Sequence, residues 1–397
     1  MAPEMAGPLL QFPIDLYRQM RATSDETVNL LLSPWLVACT LLMVHHGARG
    51  TTATEIARLL HVCYWDRRDG VSVLERLTRY ARELPCNSWW PRQPRREGLR
   101  LTTYVCLYHA EQIKLTEDYL RAVKTLKVQI HRKDFARSAE QCRVSMDALV
   151  RAMTSYSLTL PGEALSQEEV NRDSKLVFTS LLRQEARWWR RFEEAPCGVF
   201  YETRDRFTTV PMMTQAAPYP CAECPELRAS LVELPFECPR QSLVLVLPYE
   251  VEGLASVEQN LSASRILRAL GCLRDQGELE LTLPKFTVTS VTNLKRLLPA
   301  MTSGDEALSG NENFSGLCEE PGVVVKVSGA VHYAFFRAGR SGPSPPAEEM
   351  ATIGDTSITP TEQELRKVTV DRPFMFLVVN REPDMVFLMG SVRRVVY

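Results

Sequence analysis

The sequence predicts an α+β chain folded as one domain over residues 1–397, on three observations. Helix-like and strand-like periodicities are mixed along the chain, and the strand-like runs concentrate after residue 205. No internal repeat or separating linker interrupts the 397 residues, 45% of them hydrophobic, which is ample for a large core even though many chains of this length divide. Near the C-terminus two apolar runs, VVVKVSGAVHYAFFRAG from Val323 and DRPFMFLVVNREPDMVFLMGSV from Asp371, flank a polar stretch carrying Pro343, Pro345 and Pro346. An exposed loop spanning roughly 340–370 follows, longer than ordinary connections.

Each element has its own local signal. QFPIDLYRQM reads as the start of a helix, and the apolar run after Asn29 as a short strand. Ser33-Pro34 supplies the cap and first-turn proline of a second helix, which Gly47 ends. Gly50-Thr51-Thr52 offers a cap for a third, whose apolar face includes Ile56, Leu59 and Leu60. Residues 85–100, rich in proline and arginine, read as loop, and 101–135 as strand, helix, strand. A strand is expected in LVFTSLLRQEARWWRRF from Leu176, and further strands at 210–213, in LVELPFECPRQSLVLVLPYEVEGL and in LELTLPKFTV.

Composition excludes several function classes. A net charge of −1 gives no general reason to expect nucleic acid or an anionic membrane as a partner. No apolar run approaches the roughly 20 residues that cross a bilayer. Eleven cysteines show no regular disulfide framework, so buried reduced thiols are expected. The N-terminus lacks a basic region followed by an uninterrupted apolar core, which predicts no signal peptide and favours a cytoplasmic location. The sequons at Asn260 and Asn313 would be used only on secretion.

In order and spacing these segments resemble the serpin family. Asn29 to Pro34 matches N-x-x-x-S-P, and Gly47 to Thr52 matches G-A-R-G-x-T before an apolar helix. VHYAFF and DRPFMFLV are similar to the V-H-x-A-F and D-H-P-F-x-F runs that flank the serpin reactive loop. The resemblance runs from about Leu10 to Val392. It implies a serpin fold of about three β-sheets and eight to nine helices, with an exposed reactive-centre loop near the C-terminus. It also implies a monomer without cofactor, a serine protease as partner (inhibited, or cutting the chain as substrate), and an extracellular location as the alternative compartment. His332 resembles the serpin histidine that hydrogen-bonds beneath the central sheet with Ser33 nearby, a structural role. Trp188 survives from the pattern V-N-A-x-Y-F-K-G-x-W, but Ser180 replaces its Asn, Arg183-Gln184-Glu185 replaces Y-F-K, and Arg372 stands where the family has His.

Enzyme chemistry is not readable. There is no G-x-S-x-G, H-E-x-x-H, phosphate loop or zinc-knuckle spacing, so no catalytic residue and no metal ligand is assigned. Cys221 and Cys224 have redox-motif spacing without a βαβ context, and the structural reading wins. His45-His46, at the end of an apolar helix, reads as a helix-end feature rather than a metal site. Arg92, Arg95, Arg96 and Arg100 form a candidate polyanion or glycosaminoglycan site, and Arg183, Arg187, Arg190 and Arg191 frame Trp188-Trp189 as a second cluster. Solvated loop charge is the commoner explanation of such runs.

The sharpest departure lies in the loop hinge. Inhibitory serpins insert the cleaved loop as a new central strand, and the family hinge reads E-E-G-T-E-A-A-A-A-T. Here Gly342, Pro343, Pro345, Pro346, Glu348 and Glu349 stand in that region. Prolines lack the N–H that a central strand must donate, and each acceptor left unpaired costs about 1–3 kcal/mol. Either strand register also points one glutamate and at least one proline at the core. Together the penalties reach about 10 kcal/mol, against a typical domain stability of roughly 5–15 kcal/mol. Family spacing places the scissile bond at Thr356-Ser357, while Arg366-Lys367 would make the chain a substrate of a trypsin-like enzyme. Three roles follow: a non-inhibitory or weakly inhibitory serpin, a working serine-type endopeptidase inhibitor with an atypical hinge, or a polyanion-binding scaffold.

Overall fold

Helix α1 (Pro3–Ala22) turns one apolar face inward, with Phe12, Ile14, Leu16 and Tyr17 buried. Strand β1 (Leu30–Leu32) is buried throughout. It leads into α2 (Pro34–Gly47), whose first turn is capped by Ser33: the hydroxyl accepts the Leu36 N–H at 3.3 Å. Helix α3 (Gly50–Leu59) starts differently from expectation. Thr51 and Thr52 lie inside it, and no side chain caps it. Gly50 enters at φ +60°, which suits glycine, and the Thr52 hydroxyl instead accepts the N–H of Asn313 at 3.0 Å. The computed structural model describes residues 3–61, 100–126, 128–153, 165–302, 313–318, 325–342, 365–381 and 384–397.

The chain continues through β2 (Arg100–Ala110), α4 (Glu117–Thr125), β3 (Gln129–Lys133), α5 (Phe135–Met153) and β4 (Leu176–Glu185). Next come β5 (Glu193–Tyr201), β6 (Phe207–Cys224), β7 (Ala229–Pro235), β8 (Gln241–Pro248), α6 (Leu254–Asn260), α7 (Ala263–Gly271), β9 (Arg274–Pro284), β10 (Phe286–Asn293) and the short α8 (Leu294–Leu297). Strands β11 (Val327–Ala338), β12 (Arg366–Thr369), β13 (Phe374–Arg381) and β14 (Asp384–Val392) complete an α+β architecture.

One sheet has five strands in the order β10-β11-β4-β2-β3. The other has nine, running β1-β14-β13-β8-β7-β6-β9-β12 with β5 added on β6. Two of the three expected sheets are continuous here because β6 is long: its first half pairs with β5, its last residues with β7, and β9 runs along its other edge. Phe286 and Phe336 from the smaller sheet meet Phe374 and Phe376 from the larger, with ring centroids 5.1–5.6 Å apart across the interface. Aromatic pairs at such separations add to the burial that joins the two layers.

A buried polar knot ties α1 to the C-terminus. The Tyr17 hydroxyl donates to Glu258 at 2.6 Å and lies 2.8 Å from the Ser391 hydroxyl, while Arg393 donates to Glu258 at 2.5 Å. Burial, then the charge of Glu258, pushes the Tyr17 phenol well above its ordinary value, so it stays protonated and keeps donating. Nothing in the local pattern around Glu258 announces this partner.

Candidate functional site

Strands β4 and β11 lie at the centre of the five-stranded sheet and pair directly and in parallel, from Val327 opposite Leu176 to Arg337 opposite Glu185. Both are almost wholly buried, which is why they read as near-continuous apolar runs instead of alternating ones. Any further strand added at the centre of the sheet has to part this seam.

Two contacts cross the seam. His332 and Ser180 are register partners, and both are buried. The backbone N–H of Ser33 donates to His332 Nε2 at 2.9 Å, so Nε2 carries no proton. Nδ1 therefore holds the hydrogen and donates to Ser180 Oγ at 2.8 Å. Ser33 is in turn held by its hydroxyl, which donates to the Phe387 carbonyl at 2.8 Å. Burial lowers the imidazole to about 3, which keeps it neutral. The second contact lies three residue pairs further along, on the opposite face: Arg183 stacks over Phe335, its register partner, 5.4 Å from the ring centroid, and pairs with Glu185.

Past the end of β11 the chain is clamped. Trp188, 1% exposed, packs between Phe192 and Phe236 at 5.4 and 5.2 Å. Its indole N–H donates to the Gly339 carbonyl at 2.6 Å, and its backbone N–H to the Ser341 carbonyl at 2.9 Å. Arg340 pairs with Glu194 at 3.1 Å. Gly342 then passes so close to the 188–191 backbone that a Cβ there would stand 2.8 Å from the Trp188 carbonyl oxygen and 2.9 Å from Arg191 N. The hinge thus begins at a residue that only glycine fits without backbone movement.

Pro343, Pro345, Pro346, Glu348, Glu349, Thr356 and Ser357 lie outside the described residues, as do Arg92, Arg95 and Arg96. Arg100 opens β2. The expected loop is shorter than 340–370 at its far end, because Arg366 and Lys367 belong to β12, paired in parallel with β9. Arg366 is held by Glu223 at 3.0 Å and Gln276 at 2.9 Å, and Lys367 by Glu280 at 3.3 Å. The sequence reading of Arg366-Lys367 as loop residues open to a trypsin-like enzyme is thus corrected: both are held in a paired strand. In the second arginine cluster, Arg187 pairs with Glu237 and Arg190 stacks on Trp189 at 4.5 Å. Cys221 and Cys224 are buried free thiols on β6, and burial raises the Cys221 thiol. Sequence reasoning missed the Gly342 wedge and the Arg183–Phe335 stack; the only available signal was the replacement of Y-F-K by Arg183-Gln184-Glu185.

Comparison with known proteins adds an independent line. A family model described as "Serpin (serine protease inhibitor)" matches residues 9–395. Among curated relatives, the chain is 27% identical over 402 residues to Ipis-1 of Ixodes persulcatus, covering 99% of this chain and 100% of that protein. It is 23% identical to Serpin B3 of Homo sapiens, with 96% of each covered. Among solved structures it is similar to uncleaved ovalbumin, with a TM-score of 0.83, 21% identity, and 98% and 99% of the two chains covered. Thyroxine-binding globulin in complex with thyroxine gives a TM-score of 0.80 at 22% identity, covering 99% and 100%.

Proposed function

The chain belongs to the serpin family, and we propose that it is a non-inhibitory or weakly inhibitory member: a binding scaffold, or a protease substrate, rather than a protease trap. The observation that carries this reading is the hinge from Gly342 to Met350, with three prolines and two glutamates where an inserting strand needs small side chains and free N–H groups. Two further features support it. Insertion has to pull Gly342 from its packing against the 188–191 backbone. It also has to separate His332 from Ser180 and Arg183 from Phe335. No enzyme activity belongs to this reading.

The family's inhibitors supply the second reading, a working serine-type endopeptidase inhibitor cut at Thr356-Ser357. Thermal unfolding of intact protein against protein nicked within 343–364 separates the two. The non-inhibitory reading expects no rise in Tm after nicking and no protease complex that survives denaturing electrophoresis. A rise of tens of degrees, or such a complex, overturns it. Glycosaminoglycan binding through Arg92, Arg95, Arg96 and Arg100 is a separate role, tested by salt-sensitive retention on heparin.

A further inference from the structure

A cavity of about 770 Å³ opens between the last turns of α1, the α6 helix, the 202–206 turn and the C-terminal tail. That is within the range of small-molecule sites, about 300–1,000 Å³. Part of its wall is aliphatic: Val251, Leu254 and Ala255 at the start of α6, Ala22 at the end of α1, and Pro373. The loop machinery uses none of these residues.

Five arginines and four glutamates also line it, and their pairing is uneven. Glu258 is claimed by Arg393 at 2.5 Å and by the Tyr17 hydroxyl at 2.6 Å. Glu202 holds Arg206 at 2.6 Å and Arg394 at 3.3 Å, and Glu252 turns to Arg204 at 3.7 Å. Arg18 and Arg21 reach no carboxylate among the described residues. Arg18 donates through Nη2 to the carbonyls of Gln259 and Leu261, at 3.1 and 2.5 Å. Arg21 donates to the carbonyls of Val28 and Ser24, each at 3.1 Å, and of Asp25. The Nε–H of each guanidinium therefore has no acceptor among the described residues. Burial, and then the charge of Arg393, lowers the half-buried Arg21 guanidinium. A bound anion would offset both effects. Glu26, exposed at the rim, is the weakest of the charges acting on Arg21.

We propose that this cavity binds an aliphatic carboxylate of the fatty-acid class, its head held by Arg21 and Arg18 and its tail laid on Val251, Leu254, Ala255 and Pro373. A guanidinium fork matches a carboxylate in shape as well as charge. The aliphatic wall offers the tail no hydrogen-bonding partner, so it favours methylenes over a polyhydroxy body. Each added methylene that reaches the wall should tighten binding about fourfold. The site stands whether or not the reactive loop inserts.

Calorimetric titration of the whole protein with decanoate, octanoate and decanol, below their aggregation limits, tests it. Decanoate should bind one molecule per chain and raise Tm, with octanoate more than tenfold weaker and decanol at least tenfold weaker. Ala255→Trp fills the cavity from an exposed helix position without changing charge, and should abolish decanoate binding while leaving the ligand-free Tm unchanged. Arg21→Gln should weaken decanoate about tenfold. Arg18→Gln, at an exposed position, should weaken it severalfold, and decides the point if Arg21→Gln loosens the 24–28 loop and loses stability. Absence of saturable decanoate binding overturns the site, and so does decanoate binding undiminished by Ala255→Trp. Decanol binding as tightly as decanoate, or decanoate binding undiminished by the arginine variants, overturns the carboxylate anchor.

Discussion

His332 donates through Nδ1 to Ser180 Oγ at 2.8 Å, and these two residues face each other across the only parallel pairing at the centre of the five-stranded sheet. Its other nitrogen accepts from Ser33, so one neutral imidazole joins β11, β4 and the start of α2. Opening the sheet breaks that junction, and the strength of the junction can be measured.

Acid should weaken it. The folded imidazole is lowered to about 3, against an unfolded value near 6.5. Above pH 6.5 neither state binds the proton, and the contribution of His332 is complete. As pH falls from 6.5 toward 3 the unfolded chain protonates while the folded chain does not. Stability then drops by up to about 1.4 kcal/mol per pH unit from this group alone. Urea unfolding at pH 7.5 and 5.0, with His332→Gln as reference, should show a smaller acid loss in the variant. Equal losses in both proteins would assign the pH dependence elsewhere.

Ser180→Ala removes the acceptor that the described residues offer to the His332 Nδ1–H. A buried donor left unpaired should lower stability by about 1–3 kcal/mol in chemical denaturation. A change within a few tenths of a kcal/mol, the usual scatter of surface substitutions, would mean that the seam is held by backbone pairing alone.

Gly342→Ala tests the clamp. The new Cβ meets carbonyl and amide atoms of the 188–191 backbone, which cannot swing aside as a side chain can. A destabilisation of about 1–3 kcal/mol is expected, with a change in Trp188 fluorescence as the 339–342 segment shifts away from the indole. An unchanged emission spectrum with unchanged Tm would show that the hinge is already free.

Glu258→Ala leaves Arg393 buried beside Tyr17 without its carboxylate. Loss of one partner of a buried pair costs about 3–5 kcal/mol, so this should be the most destabilising of the four changes. Tyr17→Phe, which keeps the ion pair intact, should be milder. If the two variants are equally destabilising, the hydroxyl rather than the charge pair carries the knot.

Local chemistry was legible. Ser33-Pro34 announced the start of α2 because capping and the first-turn proline depend on neighbours in the chain, and the cap is present. The apolar runs of β4 and β11 announced strands, and their burial on both faces explains why those runs do not alternate. His332 drew attention through its motif, and the structure places it between Ser33 and Ser180. Thr52 was misread as a cap because its hydroxyl is claimed by Asn313, far away in sequence. Arg366 and Lys367 were read as loop because parallel pairing with β9 leaves no short-range signal.

The sequence by itself therefore determined the family, the order of elements and the hinge composition from Gly342 to Met350, since these rest on residue type and spacing. Tertiary structure decided which residues touch across the seam and why position 342 admits only glycine without backbone movement. Those are distances between atoms brought together by packing, and no local pattern encodes a distance between residues hundreds of positions apart.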